Sequence, residues 1–526
     1  MQSWFTFELD GEECRIEKED THRTLAAFLP TLDPCFRRFK DTDPWKGGNL
    51  VVLGDIEEEQ HRFRVADAGL LLLPMLAGRQ VWTPEGIQSI EPDHPVSLAL
   101  HDRHFECSED RTASLVALLF EGYYRPDLRR QGQTNDQFDG IVTRTACVPA
   151  IREAAAQVFA STEQLRHEAA IKAEKSGQES SVWTGNKDIF GDRFTKKLFQ
   201  IKKRTPLQYV DEQKRRFHRP GSLTELMKLR KEYPSAHLIA GGTELATLSG
   251  SVEWPSLISL EAVRELNLFL TSEEEWEIGA MVPLTRIAEQ IGRECPAFSK
   301  ILRRFGARAI RNRATLGGYL ANGWKRGQLT PLLMALNARV ILISEDGERD
   351  APLSQYFEEA GGTILQSHEI IRSIIIPRST ESVLSRRGIT NALCDTYSVA
   401  PRRTLSEPYG TGAFSIELRD KKIAKAQIAY SGIEKSPRRI REAEEFLAGK
   451  SWTEKTVFAC LPLLIEEIEV DGESYADYRK QLVVTLLQKF FAQHPTPEQK
   501  KPITETAVTS FFPLDEPFFD ALPTES

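Results

Sequence analysis

Two short glycine-containing segments of this chain carry residue types that could bind phosphate. They are residues 238–245, with the sequence LIAGGTEL, and residues 311–318, with the sequence RNRATLGG. A Gly-Gly pair after a strand lets the backbone approach a ligand closely and turn successive N–H groups into a concavity that suits phosphate. Thr243 and Thr315 place a hydroxyl beside each pair. We therefore expect one pyrophosphate held from both sides, although each Gly pair alone is also typical of an ordinary tight turn.

Other common chemical signatures are missing from the sequence. Neither segment has the G-x-G-x-x-G spacing of a Rossmann fold or the pattern of a P-loop. The chain contains no G-x-S-x-G motif, and its ten histidines are dispersed without metal-ligand spacing. If the protein is catalytic, we expect a bound cofactor to carry the reaction and the chain to position it.

Short strands alternating with helices are expected to position the two glycine bends. A helix capped by Ser222 is predicted to end near residue 233, just before the first bend. Strands are predicted at residues 257–260 and 276–280, and amphipathic helical pieces at 287–291 and 298–305 lead to the second bend. This order favours a two-layer α/β domain.

Other segments carry local signals for hairpins and helices. Asp10-Gly11 predicts a hairpin, and helices are predicted at residues 96–103, 112–122, 149–159 and 168–175. Nearer the C-terminus, strands at 412–418 and 423–430 predict a second hairpin, and Ser436-Pro437 predicts the start of a helix that stops at Gly449.

The same segments resemble a known family. Gly241-Gly242-Thr243 and residues 311–318, followed by Leu320-Ala321-Asn322, resemble the FAD-binding domain of the xanthine dehydrogenase family, and residues 331–338 and 369–377 continue the pattern. The resemblance extends across most of the chain and is strongest to the separate small subunit found in bacteria. It implies an α+β multidomain protein with a ferredoxin-like β-grasp domain (1–90), a helical domain (91–165), a two-layer α/β FAD-binding domain of the PCMH type (213–385) and an α+β flavoprotein C-terminal domain (386–495). Composition predicts a linker at 166–212. It also predicts that residues 496–526, rich in proline and acidic residues, form a disordered tail or a segment that docks to a partner.

The resemblance also implies which residues would contact FAD. Residues 238–245 would surround the pyrophosphate and ribityl groups, Phe305 would lie near the flavin ring, and Ile371 would pack on the adenine or isoalloxazine side. The second glycine pair and its threonine would bind from the opposite wall. The predicted FAD-binding residues are Leu238, Ile239, Ala240, Gly241, Gly242, Thr243, Glu244, Leu245, Phe305, Thr315, Gly317, Gly318, Tyr319, Gln328 and Ile371.

Several positions near the second bend depart from the family pattern. Tyr319 stands where the family has asparagine, and Gln328 stands where it has an aspartate that holds a polar group of FAD. Tyr319 and Trp324 are bulky enough either to stack on a flavin or to fill its pocket. Lys325 and Arg326 could neutralise the pyrophosphate charge or could be surface residues.

Both [2Fe–2S] clusters of the family are expected to be absent from this chain. The places of the cluster cysteines fall on Asp41, Lys46, Asn49 and Gly69 in the first domain and near Ser108, Arg111, Thr143 and Thr145 in the second. Lysine and arginine are protonated and have no lone pair for iron, while a [2Fe–2S] centre normally needs four ligands. Cys107 and Cys147 lie close by, and we interpret them as small buried side chains. We expect no metal site and no molybdenum cofactor on this chain.

Composition limits the class of protein. The chain has 526 residues with a net charge of −8, which predicts three or four domains and gives no reason to expect nucleic acid as a partner. Its seven cysteines form no C-x-x-C pair, as is typical of reduced thiols in the cytoplasm. No signal peptide or membrane span is expected, because the most apolar run, residues 70–73, is cut by Pro74.

Three functions are therefore open from the sequence. The first is an FAD-binding oxidoreductase subunit without iron–sulfur relay, associated with a molybdenum hydroxylase-like large subunit. The second is a non-catalytic paralogue that serves as a scaffold or assembly factor. The third is a free-standing flavin enzyme. The oligomeric state, homodimer or heteromer, and the substrate are not specified.

Overall fold

The structure, a computed structural model, describes most of the chain. The described residues are 1–39, 47–57, 60–101, 109–125, 138, 148–175, 190–202, 204–244, 253–358, 360–402, 406–469 and 475–495. Several residues singled out from the sequence lie outside these ranges, namely Asp41, Lys46, Cys107, Ser108, Thr143, Thr145, Cys147, Leu245 and the tail 496–526. Within the ranges the chain forms a mixed α/β protein of several units.

The N-terminal unit, residues 1–90, is one mixed sheet with helices. Its elements are β1 (Trp4–Leu9), β2 (Glu12–Glu17), α1 (Leu25–Leu32), β3 (Leu50–Glu57), β4 (Gln60–Asp67), β5 (Gln80–Trp82) and α2 (Pro84–Ile90). The strand order is β2-β1-β5-β3-β4, and only the β1–β5 pair is parallel. Asp10 and Gly11 turn β1 into β2 with φ angles of 50° and 87°, which confirms the hairpin predicted from this dipeptide.

A helical unit packs against this sheet. Its elements are α3 (Pro95–His101), α4 (Glu109–Tyr123), α5 (Val148–Lys175) and α6 (Arg193–Leu198). Helices were predicted at three of these places, and α5 joins two segments predicted as helical, residues 149–159 and 168–175, into one helix. Phe120 of α4 and Phe194 of α6 are fully buried and stack edge to face with ring centroids 5.0 Å apart. The helical unit and the sheet therefore share one apolar core.

The next unit, residues 204–386, is built on two sheets. Its elements are β6 (Leu207–Val210), β7 (Arg216–Arg219), α7 (Leu223–Glu232), β8 (His237–Ile239), β9 (Ser256–Ser259), β10 (Phe269–Thr271), β11 (Glu275–Gly279), α8 (Leu284–Ile291), α9 (Pro296–Leu302), α10 (Arg308–Arg311), α11 (Leu316–Ala321), α12 (Thr330–Ala335), β12 (Arg339–Ser344), β13 (Gly347–Pro352), α13 (Leu353–Tyr356), β14 (Ile370–Pro377) and α14 (Glu381–Arg386). The sheets have the orders β6-β7-β9-β8 and β10-β11-β14-β12-β13. Ser222 caps α7 through the N–H of Glu225, and Leu226 and Leu229 are buried, as predicted. Because β8 ends at Ile239, the first glycine bend begins at the end of a strand.

The C-terminal unit pairs a sheet with helices. Its elements are β15 (Asn391–Val399), β16 (Gly410–Arg419), β17 (Lys422–Ser431), β18 (Arg438–Arg439), α15 (Arg441–Leu447), α16 (Glu454–Glu467) and α17 (Ala476–Gln493). The β16–β17 hairpin was predicted, whereas α16 was not. The helix predicted between a Ser436 cap and Gly449 is present as α15, but its predicted start is wrong. It begins at Arg441, because β18 first pairs with β17 and the Ser436 hydroxyl donates to the carbonyl of Glu358. No helix among the described residues is long and apolar enough to cross a membrane.

Candidate functional site

A cavity of about 630 Å³ lies where the two glycine bends meet. Its size is within the range of small-molecule and cofactor sites. Every predicted FAD-binding residue that the structure describes lines this cavity, and these are Leu238, Ile239, Ala240, Gly241, Gly242, Thr243, Glu244, Phe305, Thr315, Gly317, Gly318, Tyr319, Gln328 and Ile371. Leu245 lies outside the described residues. Segments more than 130 residues apart in sequence, such as 238 and 371, are thus brought to one site.

The first bend requires glycine at both positions. A Cβ atom on Gly241 would overlap the carbonyl oxygen of Arg313, at the base of the second bend. Gly242 has a φ angle of +79°, a conformation that side-chain-bearing residues rarely adopt. Both glycines are buried. The two bends are therefore in direct contact, and the first has a backbone shape that other residues would distort.

The backbone of the first bend presents hydrogen-bond donors to the cavity. Among the described residues, the N–H groups of Gly241, Gly242 and Thr243 have no hydrogen-bond partner, either backbone or side chain. Buried backbone donors are almost always paired, because an unpaired N–H costs as much as a lost hydrogen bond. Successive N–H groups in a turn with one residue at positive φ form a concavity for anions. The donor set therefore fits a phosphate-containing ligand.

The second bend does not repeat this arrangement. The N–H of Gly317 donates to the carbonyl of Ala280 at 2.9 Å, and the N–H of Gly318 donates to the Thr315 hydroxyl at 3.1 Å. Thr315 is the N-cap of α11, so the N–H groups of Gly317 and Gly318 are already paired and do not face the cavity as free donors. Gly318 instead allows the second bend to pack closely against the first, because a Cβ on Gly318 would lie 3.2 Å from the Cβ of Ala240. The Thr-x-x-Gly spacing was the signal for a helix cap.

Tyr319 forms a wall of the cavity and does not fill it. Its hydroxyl accepts the N–H groups of Leu329 and Thr330 at 3.0 and 3.1 Å and lies 2.9 Å from the Thr330 hydroxyl. Burial raises the pKa of this phenol to about 12. The ring meets Phe305 edge to face at 5.5 Å between centroids. A side chain at Gly327 would overlap the hydroxyl, so the glycine is needed for this position of Tyr319.

Gln328 offers an acceptor in the cavity wall. Its side chain is 7% exposed, and its Oε1 atom has no hydrogen-bond partner among the described residues. A buried acceptor without a partner is costly, so a ligand donor that reaches Oε1 would be favoured. This is a second observation, independent of the first bend, that indicates a polar ligand in the cavity.

The rim of the cavity contains residues outside the predicted FAD-binding set. Asn322 and Trp324 both donate to the carboxylate of Glu244, which links the first bend to the segment after α11, and burial raises the pKa of that carboxyl. Arg326 pairs with Glu407 of the C-terminal unit at 3.1 Å. The lining residues outside the predicted FAD-binding set are His237, Leu260, Ala280, Met281, Arg304, Gly306, Ile310, Ala314, Ala321, Asn322, Trp324, Arg326, Gly327, Leu365, Glu369, Ile370, Ser406, Glu407 and Pro408.

The places expected to have lost cluster ligands are only partly described. Asn49 and Gly69 are buried, and Arg111 is exposed on α4. In the part of the chain that the structure describes, no group of three or more His, Cys, Asp or Glu residues could hold a metal ion. The other expected places lie outside that part.

Comparison with known families identifies two domains in this chain. Residues 212–379 match the family described as the FAD binding domain in molybdopterin dehydrogenase. Residues 395–494 match the CO dehydrogenase flavoprotein C-terminal domain. The cavity therefore lies in the part of the chain that matches the FAD-binding family, and residues 406–408, in the part that matches the C-terminal family, contribute to its rim.

Individual relatives cover different shares of the chain. Xanthine dehydrogenase 1 of Arabidopsis thaliana is 27% identical over 333 residues, which are 58% of this chain and 24% of that protein. Aldehyde oxidase 2 of Mus musculus is 30% identical over the same share of each. Aldehyde oxidase 2 of Rattus norvegicus is 26% identical over 93% of this chain and 39% of its own length. The chain thus spans well under half the length of these relatives.

Solved structures that are similar to this chain cover about half of it. Quinoline 2-oxidoreductase from Pseudomonas putida 86 is 24% identical with a TM-score of 0.47, covering 53% of this chain and 95% of the other. Carbon monoxide dehydrogenase from Hydrogenophaga pseudoflava is 20% identical with a TM-score of 0.48, covering 54% of this chain and 96% of the other.

Proposed function

We propose that this protein is the FAD-binding subunit of a molybdenum hydroxylase-like oxidoreductase, similar to the small subunit of xanthine dehydrogenase. The observation that carries the proposal is the first bend, where the N–H groups of Gly241, Gly242 and Thr243 lack partners among the described residues and border the cavity. That bend lies in a domain that matches an FAD-binding family. When bound, FAD would supply electron transfer.

The residues of the cavity have separate roles in this proposal. The N–H groups of the first bend bind the pyrophosphate, because they are the unpaired donors of the site. Gln328 accepts a hydrogen bond from a polar group of FAD. Phe305, Tyr319 and Ile371 provide apolar walls that orient the rings and exclude water.

The N-terminal half serves as an interface in this proposal and holds no [2Fe–2S] cluster. The strand order β2-β1-β5-β3-β4 with parallel β1 and β5 supports a ferredoxin-like β-grasp. The resemblance assigns two of the cluster-cysteine places to Asn49 and Gly69, and neither a neutral amide nor a residue without a side chain can replace a thiolate ligand. We place the protein in the cytoplasm and the molybdenum cofactor on a separate large subunit.

The absorption spectrum of the purified chain tests this function. We expect the bands of an oxidised flavin after reconstitution with FAD, without broad iron–sulfur absorbance, and no iron by elemental analysis. A preparation that stays colourless with excess FAD would contradict FAD binding and favour a scaffold. Iron–sulfur absorbance would contradict the loss of the clusters.

Co-purification tests the partner. We expect a large molybdenum-containing subunit to be retained when both chains are produced together. A flavin-containing chain that is catalytically active alone and retains no such subunit would instead be a free-standing flavin enzyme.

A further inference from the structure

We propose that Arg313 is a positioning residue for the phosphate-binding bend and that the N-terminal unit sets its position through Glu261. This inference rests on the proposed FAD site. It gives the N-terminal unit a role in cofactor binding that needs no metal cluster.

The first step is the orientation of one peptide group. The Nε of Arg313 donates to the carbonyl oxygen of Gly241 at 3.2 Å. A trans peptide is planar, so its N–H points opposite to its carbonyl. Arg313 is 7% exposed and is not among the residues that line the cavity, whereas Gly241 and Gly242 are. Holding the carbonyl on Arg313 therefore turns the N–H of Gly242 toward the cavity.

The second step is the position of Arg313 itself. Its guanidinium also pairs with the carboxylate of Glu261, which is 3% exposed and follows β9. Burial alone would raise the pKa of Glu261, but Arg313, Arg79 and Arg204 lower it well below its ordinary value, so the carboxylate is charged. A planar guanidinium that contacts both a carboxylate and a carbonyl has little freedom to turn.

The third step connects this pair to the N-terminal unit. Arg79, just before β5, donates from Nη2 to Oε2 of Glu261 at 2.7 Å. The same unit also lies against the outer side of the bend, since a Cβ on Gly242 would be 3.2 Å from the carbonyl oxygen of Leu70 and 3.4 Å from Cε of Met75. The N-terminal unit therefore contacts the bend through packing and through the Arg79–Glu261–Arg313 chain.

Arg313→Met tests the positioning role in the full chain. We expect FAD to bind about tenfold to a hundredfold more weakly, the range for a lost hydrogen bond to a charged group. Riboflavin, which lacks phosphate, should lose much less affinity. Arg313→Lys keeps a charge beside Glu261 but cannot donate to both partners, so it should fold and show an intermediate loss.

Arg308→Met is the matched control. Arg308 is 5% exposed and pairs with buried Glu121, as Arg313 pairs with Glu261. It does not line the cavity, and its guanidinium donates to the carboxylates of Glu121 and Glu289 and not to a carbonyl of the first bend. The Arg308→Met variant should lower the melting temperature by about as much as Arg313→Met does, and it should leave the ratio of FAD to riboflavin affinity unchanged. Fluorescence titration measures both affinities.

Arg79→Met tests the contribution of the N-terminal unit, with Arg64→Met as its control. Arg64 is equally buried and pairs with Glu57 and Glu289 away from the bend. We expect Arg79→Met to weaken FAD binding severalfold and to add little to Arg313→Met, because both act through Glu261.

The outcomes separate the two proposals. Wild-type protein that binds no FAD would overturn the proposed function and this inference together. If the wild-type protein binds FAD but the Arg313 variants have the same ratio of FAD to riboflavin affinity as Arg308→Met, only the positioning role is overturned. Full additivity of Arg79→Met and Arg313→Met would overturn the connection to the N-terminal unit.

Discussion

At the scale of single residues, Gly242 decides the shape of the phosphate-binding bend. Alanine there would hold φ near +79° and place its Cβ 3.2 Å from the carbonyl of Leu70. We expect Gly242→Ala to destabilise the protein by about 1–3 kcal/mol and to abolish measurable FAD binding, because the bend must move. Thermal unfolding and FAD titration measure the two effects.

Gly78→Ala controls for backbone strain alone. Gly78 has a φ angle of +74° and open space around its Cβ position. It should lose some stability and keep FAD binding. Equal loss of binding in both variants would show that general destabilisation, and not the bend, is responsible.

Replacing Gln328 should affect the stability of the ligand-free protein and its affinity for FAD differently. Replacing it by leucine removes the buried Oε1 atom that has no partner among the described residues, so the ligand-free protein should not lose stability. FAD should bind several times more weakly if that oxygen accepts a ligand hydrogen bond. Gln427→Leu is the control, because Gln427 is 3% exposed with an unpaired Nε2 and does not line the cavity. Unchanged FAD affinity in Gln328→Leu would contradict this role.

The residues of the first bend could be predicted because glycine pairs after a strand have a local signature. Arg313 could not, since its partners Gly241 and Glu261 are 72 and 52 residues away in sequence. Its sequence neighbourhood, with Arg311 two residues earlier, indicated only that the second bend begins with basic residues. Local pattern thus identified the ligand-facing backbone, while the side chains that orient it depend on tertiary contacts.

At the scale of elements, Tyr319 holds the start of α12. Its hydroxyl accepts two backbone N–H groups there, Leu329 and Thr330, which would be unpaired in Tyr319→Phe. We expect a loss of about 1–3 kcal/mol in stability, measured by urea unfolding. Tyr356→Phe is the control, because that hydroxyl donates to the carbonyl of Leu320 at 3.4 Å and contacts the side chain of Thr363, and it does not cap the start of a helix. If Tyr319→Phe loses no more stability than Tyr356→Phe, the Tyr319 hydroxyl does not cap α12.

Elements whose own sequence contains a turn or helix-cap signal were predicted. Elements that form only because they pair with another strand were not. The Asp10-Gly11 hairpin and the Ser222 cap follow from turn and cap chemistry. The two-residue strand β18 exists only because Arg438 and Arg439 pair with β17, so no pattern in its own sequence indicates it. Helix α16 contains Pro462, which disfavours a helix interior, and the buried Val457, Cys460 and Leu464 keep that helix in place.

At the scale of the whole molecule, buried ion pairs join the units. Glu121 of α4 accepts from Arg308 of α10 at 2.9 Å, and Arg64 of β4 pairs with Glu289 of α8 at 3.0 Å. Removing one member of such a cluster leaves a buried charge, so the clusters fix how the units sit against each other. The cavity rim, with residues 406–408, also depends on the docking of the C-terminal unit.

The docking of the C-terminal unit against α9 should depend on pH through the carboxyl group of Asp395. Burial would raise the pKa of this carboxyl, but the His494 and Lys300 contacts outweigh it and lower the pKa to about 2, from 3.8 in an unperturbed side chain. Because the folded value is the lower one, the carboxylate stabilises the folded protein above pH 4 and this stabilisation is lost as the pH falls toward 2. The difference corresponds to about 2 kcal/mol.

Asp395→Asn removes this titration together with the 3.0 Å ion pair to Lys300 of α9. The variant should therefore be less stable than wild type at pH 7, and the gap between their urea midpoints should close as the pH falls from 4 to 2. Asp346→Asn, in the exposed β12–β13 turn, should run parallel to wild type at every pH. If the gap between wild type and Asp395→Asn stays constant from pH 7 to pH 2, the charge of Asp395 does not hold the C-terminal unit against α9, and packing between β15 and α9 must do so.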